Sequence, residues 1–201
     1  MTIIFAILPI AICYLIGSIP TAYLFVKMVK GIDIRTFGSG NVGATNAGRA
    51  IGSKWGFIVV LILDALKGFL PLFVLTIIGV NMNVILLSAC ALILGHTFPI
   101  FLDFKGGKGV ATGLGAFLAL APMAVAVAIV AFIILLLAFR MVSLGSIVAA
   151  VVLSVAVVFL YNATPILWVF TWILAAFVIY KHRSNVSRII AGNENKVKFK
   201  R

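Results

Sequence analysis

Apolar residues run along this chain in long blocks, without the alternating or one-faced patterns of a water-soluble fold. A membrane-crossing helix needs ~20 mostly apolar residues in a row. Such blocks occupy residues 3–25, 55–79, 84–101, 143–160 and 165–180. A longer block, 113–139, fits either one tilted span or two shorter ones broken at Ala121-Pro122. The pattern predicts an all-α integral membrane protein, with one polytopic domain over residues 1–201.

Basic residues decide between one crossing and two. Lys27, Lys30, Arg35, Arg49 and Lys54 sit in the first long connection, and Lys105 and Lys108 in the third. Arg140 follows the ambiguous block, and seven more bases lie in the tail from Lys181. The connections at 80–83 and 161–164 hold none. A single crossing over 113–139 puts Arg140 and the tail opposite the first loop. Two crossings, turning at Pro122, put every loop base on one side, which the positive-inside rule makes cytoplasmic. We therefore expect seven transmembrane helices, the N-terminus outside and the C-terminus in the cytoplasm. The fourth of these is short. Counted from Gly107–Gly109 to Ala121 it reaches only ~21 Å of a ~30 Å core. Its glycine-rich start is expected to be recessed beside a cavity, where a helix N-terminus suits an anion.

Composition agrees. Of 201 residues, 64% are hydrophobic and 10% charged, and the mean hydropathy is +1.30. A soluble domain of this size cannot bury so much apolar surface. The net charge of +12 combines positive-inside bias with bases set in glycine-rich loops, the mark of an anion site. Nucleic acid is excluded as a partner, because no long polar region exists to carry it. Cys13 and Cys90 lie inside apolar blocks and read as packing residues. Two histidines and four acids do not build a metal cage. The N-terminus lacks the basic flank and cleavage site of a signal peptide, so its block is expected to be retained.

Four polar elements interrupt the apolar pattern. The first is Gly38-Ser39-Gly40-Asn41-Val42-Gly43-Ala44-Thr45-Asn46, followed by Arg49. Glycines let backbone N–H groups approach a phosphate, Ser, Thr and Asn add donors, and Arg49 adds a bidentate clamp. Its glycine spacing also fits a dinucleotide fingerprint, but the strand–turn–helix context is missing. The second is Asp64 with Lys67, one helical turn apart inside a span. Each costs ~2.5–3.5 kcal/mol at the bilayer centre, so they are expected to pair, as a structural bridge or as a charge orienting the anion loops. The third is His96-Thr97-Phe98-Pro99, then Lys105-Gly106-Gly107-Lys108-Gly109 opening a helix. It is a second anion cradle without Walker spacing. His96 fits either a helix-end role or a site role. The fourth is Lys181-His182-Arg183-Ser184-Asn185 with Arg188. Ser143 and Ser146 begin the sixth span on the same side. No Ser–His–Asp set or paired carboxylates are visible, so the site suits phosphate positioning more than strong base catalysis.

Taken together and in order, these motifs resemble the bacterial glycerol-3-phosphate acyltransferases that use acyl phosphate, the PlsY-type family, over nearly the whole chain. The resemblance implies an inner-membrane enzyme with a cytoplasmic site, no cofactor and no obligate protein partner. It implies acyl transfer from acyl phosphate to the 1-hydroxyl of glycerol 3-phosphate, giving lysophosphatidic acid and phosphate. The His-x4-Asp pair of other glycerolipid acyltransferases is absent here, since Phe101 stands where an acid would follow His96. On this basis Ser39, Arg49, Lys108, His182 and Asn185 are expected to be catalytic. Gly40, Asn41, Thr45, Asn46, Lys105, Gly106, Gly107 and Ser146 are expected to bind phosphate, with Asp64, Lys67 and His96 in support. The alternative is a transporter of phosphate or organophosphate, since glycine-started broken helices also mark transporters. No inverted repeat favours it.

Overall fold

The structure is a computed structural model that describes residues 3–197. Among these residues every regular element is helical. The α-helices, in order, are α1 (Ile3–Ser18), α2 (Thr21–Lys30), α3 (Ala44–Ile51), α4 (Lys54–Ile77), α5 (Met82–Thr97), α6 (Val110–Leu120), α7 (Pro122–Phe139), α8 (Val142–Leu160), α9 (Pro165–Lys181) and α10 (Arg183–Ile190).

Local chemistry sets the boundaries. Gly31 and Gly52 close α2 and α3 in the left-handed conformation, at φ of 70° and 74°. Ser53 then caps α4 by accepting the Trp55 N–H at 3.2 Å. Pro122 and Pro165 open α7 and α9 at their first turns, where a missing N–H removes no bond. The break expected at Ala121-Pro122 is therefore present. The first apolar block differs from a single rod. It breaks at Ile19-Pro20 and resumes as α2, reaching Lys30. Pro9 and Pro71, by contrast, sit inside α1 and α4.

Five segments are long and apolar enough to cross a membrane: Ala6–Lys30, Lys54–Ile77, Met82–Leu102, Pro122–Phe139 and Val142–Leu160. A sixth arises if Pro165–Lys181 and Arg183–Ile190, bent by 59° at His182, count as one. The α6 helix has 11 residues, about 16 Å of rise. Large apolar side chains such as Ile7, Leu15, Ile62, Val130 and Leu137 lie exposed along these segments. Lipid is the solvent in which that exposure is stable.

The chain forms two compact units, the first ending at Leu120 and the second starting at Ala121. In the first, glycines let helix backbones touch. A Cβ at Gly95 in α5 would collide with the Tyr14 carbonyl of α1, and one at Gly115 in α6 with the Ala65 carbonyl of α4. Membrane helices pack through such small residues because lipid supplies no hydrophobic drive between them. Beneath the first polar loop, Ala22, Val26, Ile34, Val42, Ala47 and Val60 form an apolar seat. In the second unit, α7 packs on α8, with Phe132 against Gly145, and α8 packs on α9.

Candidate active site

The first glycine-rich loop is held open from within. Its pin is Asn46, 1% exposed. The Asn46 amide donates to the Ile34 and Phe37 carbonyls at 3.2 and 2.9 Å, and its Oδ1 accepts the Ser39 N–H at 3.2 Å. Its amide hydrogens are therefore spent on the loop itself, whereas the sequence placed Asn46 among the phosphate donors. Gly38 and Gly40 take left-handed φ of 59° and 68°, which other residues adopt only with strain. The result leaves Ser39 and Arg49 exposed, Asn41 and Thr45 half-buried. Among the described residues, the Arg49 side chain takes no hydrogen bond or ion pair. Nearby, Asp33 accepts from Arg35 through both carboxylate oxygens, and the Arg35 side chain holds its carboxyl below the ordinary range.

The second glycine-rich loop leaves α5 through Pro99 and turns at Asp103 and Phe104, two consecutive non-glycine residues with φ of 50° and 60°. Phe104 N–H donates to the Pro99 carbonyl at 3.0 Å and Lys105 N–H to the Leu102 carbonyl at 2.9 Å, which hold the strained turn. Lys105 projects from it, exposed, and Lys108 is half-buried. Gly106 N–H donates to the Thr97 carbonyl and Gly107 N–H to the His96 carbonyl, at 3.2 and 3.1 Å. A Cβ at Gly107 would collide with His96 Nε2 and crowd the Val42 carbonyl of the first loop. The two glycine-rich loops thus meet at Gly107, with the His96 ring beside them.

Asp64, Lys67 and His96 are all buried. Lys67 Nζ lies 2.7 Å from Asp64 Oδ1, and His96 Nδ1 lies 3.4 Å from the same oxygen. The pairing expected within α4 is present, and His96 joins it.

The second unit carries the remaining residues. His182 ends α9 and precedes α10, with Nδ1 at 2.8 Å from the Val178 carbonyl. A carbonyl partner accepts the proton carried on Nδ1. Asn185 and Ser143 both donate to Glu194 Oε1 at 2.7 Å, and Arg188 Nε donates to Oε2 at 2.8 Å. Burial alone would raise the Glu194 carboxyl, but these three donors outweigh it and hold it below its ordinary value. Ser146 Oγ donates back to the Val142 carbonyl at 2.9 Å, so its hydroxyl proton serves α8. Glu194 went unnoticed in the sequence, as did Thr21, which donates to Asp64. The available signal for Glu194 was rarity: it is one of four acids, set in a basic tail.

Apolar spans around two touching glycine-rich loops define a polytopic integral membrane protein. Comparison narrows that class. A family model described as glycerol-3-phosphate acyltransferase matches residues 7–192. A glycerol-3-phosphate acyltransferase of Trichlorobacter lovleyi is 50% identical over 94% of this chain and 96% of its own length. One from Fusobacterium nucleatum is 43% identical over 94% and 97%. The crystal structure of PlsY, an integral membrane glycerol 3-phosphate acyltransferase, in its glycerol 3-phosphate form, aligns with a TM-score of 0.89 at 37% identity, covering 96% of both chains. Its lysophosphatidic acid form gives 0.87 at 36%. The chain belongs to the glycerol-3-phosphate acyltransferase family. Membership makes it an acyltransferase and sets the transporter reading aside.

Proposed function

We propose that this enzyme transfers an acyl group from acyl phosphate to the 1-hydroxyl of glycerol 3-phosphate, the first acylation of phospholipid synthesis. The hydroxyl oxygen bonds to the acyl carbon, and the bond from that carbon to the phosphate oxygen breaks. The electron pair leaves with phosphate, and the hydroxyl proton goes to that departing phosphate. Lysophosphatidic acid and inorganic phosphate result. An acyl phosphate is a mixed anhydride with a good leaving group, so the protein's tasks are positioning and charge stabilisation.

The observation that carries this proposal is the contact of the two glycine-rich loops at Gly107 and Val42, which suits a reaction between two phosphate-bearing molecules. Ser39, Arg49, Lys105 and Lys108 take the phosphates, with the Asn41 and Thr45 side chains adding donors, while Gly40, Gly106 and Gly107, whose N–H groups donate to the Phe37, Thr97 and His96 carbonyls, shape the two loops around them. His182 and Asn185 orient glycerol 3-phosphate. Asn46 acts by shaping its loop, and Ser146 takes a supporting place on α8. The whole chain works as one domain of seven spans in the inner membrane, N-terminus outside, reacting at the cytoplasmic face. It needs no cofactor, no metal and no protein partner.

The test is turnover by the purified protein. Acyl phosphate and glycerol 3-phosphate together should yield lysophosphatidic acid and phosphate in equal amounts, and acyl-CoA should not substitute. Turnover with acyl-CoA alone would overturn the donor assignment. For topology, Asn83→Cys should label from outside intact cells and Ser184→Cys should not.

A further inference from the structure

The proposed reaction leaves the membrane-buried charges without a task. We propose that Thr21, Asp64, Lys67 and His96 form one positioning unit, which ties the break between α1 and α2 to the second glycine-rich loop. Through it, Thr21 governs how tightly a phosphate-bearing substrate is held. This inference rests on the acyl-transfer function proposed above.

At Ile19-Pro20 the helix is interrupted and the Ile19 carbonyl needs a donor. Thr21 N–H supplies one at 3.0 Å and Lys67 Nζ another at 2.9 Å. The same ammonium lies 2.7 Å from Asp64 Oδ1. Thr21 Oγ1, one residue beyond the proline, donates to that oxygen too. A single carboxylate oxygen, on a residue 1% exposed, is thereby fixed by α2 and by α4 itself. It faces His96 Nδ1 at 3.4 Å. A carboxylate on that side favours the proton on Nδ1 and sets the ring's orientation.

His96 is the residue on which the loops depend. Its carbonyl accepts the Gly107 N–H, and its ring occupies the space a Gly107 side chain would need. The other neighbour of that space is the Val42 carbonyl, so the ring sets the gap between the loops. A cavity of only about 10 Å³ borders the ring, lined by Ser18, Thr21, Lys67, Pro99 and Gly106 among others. Packing confines the imidazole, and the Asp64 carboxylate facing Nδ1 fixes which way the ring is turned within that space. A structural ion pair between helices needs neither the Thr21 hydroxyl nor the approach to His96, and apolar residues often replace such a pair without loss.

Removing the Thr21 hydroxyl isolates the device, since Thr21 is on neither glycine-rich loop. Thr21→Val, Thr21→Ala and Thr21→Ser are purified and assayed with acyl phosphate and glycerol 3-phosphate varied in turn. The Val and Ala enzymes should show KM for one of the two substrates raised roughly tenfold, about the weight of one hydrogen bond to a charged group. Their kcat should stay within about twofold, since no reacting atom is touched, and Thr21→Ser should restore KM. The proposal is overturned by wild-type KM in the Val and Ala enzymes, by a fall in kcat alone, by Thr21→Ser as impaired as Thr21→Val, or by failure of both the Val and Ala proteins to fold. Wild-type turnover in the same assay tests the acyl-transfer function separately, so a negative result for Thr21 leaves that function standing.

Discussion

The Asn185 side-chain amide donates to Glu194 Oε1 at 2.7 Å, which fixes a proposed substrate-orienting residue by a carboxylate nine positions later. Ser143 shares that oxygen and Arg188 holds the other. Glu194→Gln replaces one acceptor oxygen with a nitrogen that itself donates, so at least one of these three donors loses its partner. A hydrogen bond to a charged group contributes about 1.5–3 kcal/mol. We expect a lower unfolding temperature in detergent and lower kcat/KM, with Glu194→Asp intermediate. An unchanged melting curve would remove Glu194 from the structure's support.

The same carboxylate predicts an acid dependence. Its native pKa is depressed below the ordinary 4.5. A depressed carboxylate stabilises the fold fully above its unfolded value and loses that contribution as pH falls through its native value. The gap in melting temperature between wild type and Glu194→Gln should therefore be constant at neutral pH and shrink only below about 4.5. A gap that closes already between pH 8 and 6 would assign the effect to another group.

Arg49 is expected to matter for chemistry and not for folding. Its guanidinium is exposed, with no hydrogen bond or ion pair among the described residues. Truncating an exposed, unpaired side chain changes stability by about 0.5 kcal/mol or less. Loss of a bidentate grip on phosphate removes about 3 kcal/mol of binding, roughly a hundredfold. Arg49→Ala should therefore melt like wild type and lose about two orders of magnitude in kcat/KM. Arg49→Lys should recover only part, because an ammonium cannot make the paired contact. Near-normal turnover by Arg49→Ala would refute its place on the phosphate.

Arg140 offers a test of backbone strain in the second unit. It ends α7 at φ 59°, and its N–H donates to the Leu136 carbonyl at 2.9 Å. That conformation favours glycine. Arg140→Gly should raise the melting temperature by an amount worth about 0.5–1 kcal/mol. A drop would show that the Arg140 side chain contributes more than its backbone costs.

Much of this architecture could be read from residue order, and what could not has a common physical cause. Helix α9 starts at Pro165 as expected, and the break at Ala121-Pro122 was signalled by the basic residues, which share one side only if residues 113–139 cross twice. The loops were legible because Gly, Ser and Asn in a membrane protein demand a polar task. The break at Pro20 was not, since Pro9 and Pro71 sit inside helices. The helix opens at Pro20 where Lys67, some fifty residues away in sequence, can satisfy the freed Ile19 carbonyl. The bonding of Asn46 within its own loop was hidden for the same reason. Its donors were visible, but their targets, the Ile34 and Phe37 carbonyls, depend on how the loop folds back. The helix α3, which carries Asn46 in its first turn, was hidden within a run read as loop.

Two glycines six residues apart separate packing at the loop contact from ordinary helix propensity. Gly107 lies against the His96 ring and the Val42 carbonyl, and a Cβ there has no space without moving the loops apart. Gly113, inside α6, would bring its Cβ only to 3.8 Å from Ile93 Cδ1, an ordinary contact. Alanine at Gly113 should therefore stabilise by up to about 1 kcal/mol through helix propensity, with activity kept. Alanine at Gly107 should lower kcat/KM by at least about tenfold, because the geometry that holds two phosphates is displaced. Steady-state kinetics and thermal unfolding of the two single variants check both. Equal activity in the two would mean that the meeting of the loops at Gly107 is not used in the reaction.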